Sequence, residues 1–279
     1  MSTPKNSYVI PTEFLQWVTP LDVGADTVDD AVVADVLEAT SRYCDSQTNR
    51  KFYPSVETQS YDVPSGRSLY LDDDLLEVLG ITNGDDSSVS STYYNLYPAN
   101  IYPKDEIRLT ETTSLYWASS STACFEQVID VNAIWGYRER YSVNGWISGG
   151  TLGAAIGDTT TLAFTMTSGH DLDDGHIVRI DDELFVIKTV TTNKVTPFAR
   201  GANGSTAATH SNSTAVYIWK PENDVEMATK QIAQNIYRRF AGSNASANEN
   251  IVTASGVVIT PRDVPVVAAR TLARLRRIY

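Results

Sequence analysis

An α+β fold is predicted for this chain of 279 residues. The expected architecture is a helical core, one long N-terminal helix plus two C-terminal helices, with β-strand hairpins and an inserted small antiparallel β domain. Three observations predict it. Residues 26–49 repeat apolar side chains at helical spacing. Two further helix-period stretches close the chain, 222–240 and 261–279. Between them the period falls to two, with turn residues between short apolar runs. The expected organisation is therefore a discontinuous core, 1–145 and 220–279, interrupted by a β domain over 146–219.

The first helix is the strongest signal. Val28, Val32, Val36 and Thr40 recur every four residues; Val33, Leu37, Tyr43 and Cys44 widen the stripe. Asp35, Glu38 and Arg42 lie mostly off it. Asp26 or Thr27 is the candidate N-cap, and Asp29 and Asp30 put negative charge in the first turn, where the helix dipole favours it. Before this helix, Pro11 and Pro20 bracket a short apolar piece. After it, Pro54 disfavours helix at Tyr53.

From Val56 onward, ETQSYDV, RSLYL, STYYNLYP, EIRL and QVIDVNAIWGY read as strands. Four tyrosines within ten residues, Tyr93, Tyr94, Tyr97 and Tyr102, fit a packed strand surface, since aromatic enrichment is itself a strand preference. Residues 144–161 are rich in Gly and Thr and read as a linker. TLAFTMT, HIVRI, ELFVIKTV and TAVYIW are the strands of the insertion. At Pro221 helical period returns, with Val225, Ala228, Ile232, Ile236 and Phe240 on one stripe. Residues 242–256 read as a polar loop, VVIT as a short strand, and Pro261 as the start of the last helix.

The net charge of −12 is uneven. Residues 1–90 hold 16 acidic and 5 basic side chains, whereas 261–279 hold five arginines and one aspartate. An acidic body with a basic tail favours docking between proteins and disfavours general nucleic-acid binding. No apolar run suggests a membrane span, and the N-terminus has no signal-peptide core. Cys44 and Cys124 form no CxxC pair.

The search for chemistry is negative. There is no P-loop, no G-x-S-x-G elbow and no HExxH spacing among His170, His176 and His210. The run Asp171, Asp173, Asp174 before Gly175 departs from calcium-loop spacing, because its glycine comes one place early; a solvated hairpin turn is expected. Neither a catalytic constellation, a cofactor site nor a metal is expected, and the chain is not read as an enzyme.

The order of elements resembles the head–tail connector proteins of tailed bacteriophages, also called adaptor or head-completion proteins. The resemblance covers about residues 20–145 and 220–279. It rests on the acidic helix start, Phe52 and Pro54 after it, Gly136-Tyr137 at a strand end, and a Pro221-initiated helix ending in Arg238-Arg239. The insertion is similar to a small β module of many phage structural proteins, through Asp181 to Glu183, Arg200 to Thr206 and His210. Its place between the core elements departs from short connectors.

The resemblance implies a virion structural protein at the head–tail junction, assembled in the host cytoplasm. It implies a homo-oligomeric ring, expected as a dodecamer, under the portal protein, with a tail terminator, stopper or tail hub below. Genomic DNA would pass through the channel without sequence-specific binding; the acidic first helix suits such a wall, since like charge does not hold phosphates. Portal docking is expected from the tail: Arg270, Arg274 and Arg277 on one strip, with Arg276, Leu275 and Tyr279. Val267, Thr271, Leu275 and Ile278 form the expected apolar strip beside it. Two alternatives are another tail or baseplate protein with the same module, and a glycan-binding or hydrolytic protein using Asp181 and Glu183 as paired carboxylates.

Overall fold

The computed structural model describes residues 3–18, 30–241, 251–252, 258–259 and 264–277. The helix-start residues Asp26 to Asp29, Pro261, Ile278 and Tyr279 lie outside the described residues, as does most of the expected 242–256 loop. Helix α1 spans Pro11–Val18 and α2 Asp30–Thr48. Strands β1 (Ser55–Tyr61), β2 (Ser68–Thr82), β3 (Tyr94–Tyr97), β4 (Lys104–Leu109) and β5 (Ile129–Trp135) form one antiparallel sheet in the order β1-β5-β2-β4-β3. Strands β6 (Trp146–Thr151), β7 (Phe164–Thr165), β8 (Ile177–Ile180), β9 (Glu183–Thr191), β10 (Lys194–Pro197) and β11 (Ala215–Trp219) form a second, ordered β6-β11-β8-β9-β10-β7. Helix α3 (Asn223–Ala241), a two-residue hairpin of β12 (Ile251–Val252) and β13 (Val258–Ile259), and α4 (Val266–Leu275) complete the chain.

The helical-core fold class is therefore corrected. Among the described residues the protein is mostly β, with sheets of five and six strands and only four short helices. Two features of the sequence concealed this. The Gly-rich stretch read as a linker supplies β6, which pairs along β11 from Trp146–Trp219 to Thr151–Ala215. Asp72, Asp73 and Asp74 do not interrupt the chain either. They lie inside the fifteen-residue β2, whose first part pairs with β4 and whose second part pairs with β5.

The second sheet closes on itself. Leu152 bridges Met166, the Gly153 amide donates to the Thr165 carbonyl, and the Thr167 amide donates to Thr151. These bonds join the end of β6 to the end of β7 and make a six-stranded barrel. Its interior is filled by Leu152, Phe164, Met166, Val178, Ile180, Phe185, Ile187, Val195, Val216 and Ile218, all buried. Small barrels are filled in this way by inward side chains that alternate along each strand.

The helices form a layer of their own. Val33, Val36 and Leu37 of α2 pack with Phe14 of α1 and Ala233 and Tyr237 of α3. Cys44, Val225, Ile232, Ala268, Leu272 and Leu275 join Phe52 and Tyr137 in an adjoining cluster. A third cluster, Leu76, Ile134, Ile177, Val186 and Trp219, lies where the five-stranded sheet meets the barrel. Trp219 Nε1 donates there to the Phe52 carbonyl at 2.9 Å.

Candidate functional site

The module motif converges on one carboxylate. Glu183 opens β9, just after the turn at Asp181–Asp182, and its side chain is 0% exposed. Five donors surround it. Arg200 Nε and Nη2 approach at 2.8 and 2.9 Å, the Gly201 and Ala208 amides at 2.8 and 2.9 Å, and His210 Nε2 at 2.9 Å. His210 Nδ1 meets Asp181 at 2.7 Å, and Arg200 also donates to the carbonyls of Asp158, Thr161 and Ala208. Burial works to raise the Glu183 carboxyl, but Arg200, the two amides and His210 outweigh it and hold it at about 2.

Gly204 shows how closely the loop is drawn in. A Cβ there would lie 2.1 Å from the Val56 carbonyl oxygen, so only glycine lets residues 202–204 sit against β1. The knot thus fastens the loop to the barrel mouth and to β1. It leaves Glu183 no free lone pair with which to reach a substrate. Asp181 is 59% exposed but turned to His210, so the expected carboxylate pair has one sealed member.

The other polar runs are also committed internally. Asp173 accepts from Thr12 Oγ1 and the Asp174 amide, and Asp174 accepts from the Val190 amide. His176 Nδ1 accepts from the Asp173 amide, and burial followed by Lys220 pushes its ring down to about 4. Among the described residues, no group of three or more His, Cys, Asp or Glu side chains is placed to hold a metal ion.

The tail residues do not act together. Leu275 is buried in the helical layer with Ala268 and Leu272. The apolar strip is therefore 268, 272 and 275, and Val267, placed on it from sequence, is 64% exposed. Arg277 donates to the Leu71 carbonyl, its amide donates to Thr48, and it shares Asp74 with Arg50. Arg50 Nε in turn holds the Leu275 carbonyl at 2.7 Å. Arg274 pairs with Asp224. Arg270 and Arg276 are exposed, and Tyr279 lies outside the described residues. A tail reaching outward as a unit would have to break the Leu275 and Arg277 contacts.

Sequence reasoning missed a groove where the two sheets meet. Glu77 of β2 accepts from Arg179 of β8 at 2.8 Å and from Tyr141 at 2.8 Å. Tyr102 packs on Tyr141 at 5.4 Å between ring centroids, and Trp146 packs on Trp219 at 5.1 Å. On one side of this bridge lies a hollow of about 420 Å³ lined by Trp146, Tyr217 and Asp181; on the other, one of about 510 Å³ lined by Leu76, Tyr94 and Tyr102. Burial tends to raise Glu77, but Arg179 and Tyr141 pull it below the ordinary carboxylate range. Only the density of Trp and Tyr at 141–146 and 217–219 hinted at this surface.

No family model matches the chain, and neither a curated protein nor a solved structure does.

Proposed function

We propose that this chain is a structural subunit of a tailed-phage virion, an adaptor that assembles as a ring below the portal protein and extends the DNA channel towards the tail. The observation that carries this reading is the use made of the motif residues. Asp181, Glu183, Arg200, Gly201 and His210, on which the likeness to phage structural modules rests, are spent on fixing one loop to a barrel. That is the work of an architectural module. Charge supports the same reading: a net −12 keeps the surface from gripping DNA that must slide past.

The hydrolytic alternative loses its acid–base pair, because Glu183 is sealed and saturated with donors. The adaptor reading is tested on virions and on the purified chain. Antibody labelling seen by electron microscopy should place the protein at the head–tail junction. Mass measurement on the chain mixed with purified portal should give a ring. Label at the baseplate or fibres would overturn the adaptor assignment in favour of another tail part.

A further inference from the structure

We infer that the outer face of α4 on one copy docks in the aromatic groove beside β8 and β11 on the next copy, a contact that rests on the ring reading above. The groove has the make-up of an interface centre. Trp146, Tyr217 and Arg179 line its barrel side, and Trp, Tyr and Arg are the residues that dominate binding at protein contacts. Tyr217 is exposed although it stands mid-strand on β11, paired with Arg179. The rim carries two carboxylates: Asp182, which pairs with Arg179 but is 82% exposed, and Asp181 beside it, 59% exposed and turned to His210.

The face that fits it is on the same chain. Helix α4 turns Ala268, Leu272 and Leu275 inward and leaves Val266, Val267 and Arg270 outside, with the exposed Arg276 just past its end. Two exposed valines beside cations match an aromatic floor with an acidic rim. Net charge narrows the choice of occupant further. Residues 261–279 carry +4 and the whole chain −12, so residues 1–260 carry −16. Body against body repels, whereas the α4 end of one copy is attracted to the body of another. We take the contact to run head to tail from copy to copy, and a head-to-tail contact that closes gives a ring, whereas a reciprocal two-fold exchange would stop at the dimer.

Cysteine pairing tests this. In a Cys124→Ser background, Asp182→Cys and Arg270→Cys are made separately and together. The other cysteine, Cys44, is buried. Mixed single variants should cross-link into a heterodimer on mild oxidation, and the double variant should give a ladder beyond the dimer. Arg270→Glu with Arg276→Glu should weaken self-association by about tenfold, and adding Asp182→Arg should restore part of it. Circular dichroism of each variant separates loss of contact from loss of fold.

A self-association constant unchanged by the glutamate pair, or a ring whose cysteines never cross-link, overturns the α4–groove contact and leaves the adaptor reading standing. A chain that stays monomeric even with portal present overturns both.

Discussion

Replacing Glu183 by Gln removes one charge while keeping the side-chain shape, and the structure sets its cost. The carboxylate accepts five hydrogen bonds, from Arg200 twice, Gly201, Ala208 and His210. A carboxamide keeps one acceptor oxygen, and its NH2 group must face donors on the other side. With Oε1 turned to Arg200 Nε and Gly201, Nε2 meets Arg200 Nη2 and the Ala208 amide. Arg200, whose side chain is 4% exposed, is left as a buried cation without a counter-charge. Breaking a buried pair in this way costs about 3–5 kcal/mol. Against a typical domain stability of about 5–15 kcal/mol, that is a large fraction. Urea unfolding followed by tryptophan fluorescence measures it, and amide exchange at Gly201 and Ala208 reports on the loop itself. A loss below about 1 kcal/mol, with both amides still protected, would refute the view that this carboxylate holds the barrel mouth.

Four further outcomes are expected. Because Glu183 falls from 4.5 to about 2 on folding, its contribution is complete above 4.5 and disappears as pH falls through about 2; acid titration of the Gln variant against the native chain should show the difference shrinking over that window. His176 moves the other way in charge but not in sign: its ring falls from 6.5 to about 4, the unfolded chain binds the extra proton between those values, and stability should drop as pH falls from 6.5 to 4, a slope that His176→Asn removes in paired thermal melts. Deleting residues 270–279 removes Leu272 and Leu275 from the helical layer, at about 2–5 kcal/mol each, so helical circular dichroism and melting temperature should both fall; a truncated chain that melts like the native one would mean α4 is not part of the core. We propose the division into 1–145 with 220–279 and 146–219 as separately folding units; joining Asn144 to Lys220 through a short linker should leave a soluble protein that keeps the helices and the five-stranded sheet and binds a hydrophobic dye at the uncovered Leu76 and Ile134, and complete loss of soluble material would argue that the units fold only together.

The legible part of this fold was local. The α2 stripe survives as Val33, Val36, Leu37, Thr40 and Cys44, because a nineteen-residue helix repeats its pattern often enough to be read. The α4 stripe was misplaced because a ten-residue helix repeats too few times. Both candidate strips share Leu275, and the bulk of Val267 outweighed the small Ala268 that is in fact buried. Strands β8, β9 and β11 announce themselves by β-branched runs between turn residues. Strand β6 does not, since Gly150 owes its strand state to pairing with Val216 of β11, a partner far along the chain, and Gly149 stands at the bulge beside it. Gly149 is there for room: a Cβ would come within 2.9 Å of Ile218 and Leu172. At the candidate site, sequence supplied the motif residues but not their saturation. Two of the five donors to Glu183 are backbone amides, which no side-chain pattern announces.

Closing the second sheet has a bearing on how copies of this protein meet at high concentration. A barrel presents no row of unpaired backbone groups, so it cannot grow by adding a strand from a neighbour. The five-stranded sheet has two outer strands, and the 202–204 turn, with Gly204 against Val56, sits over one of them. The other, β3, is four residues long and rich in tyrosine. Strand-to-strand polymerisation of the two sheets is thereby confined to a single short outlet, and subunits crowded around a common axis are left to join through side chains.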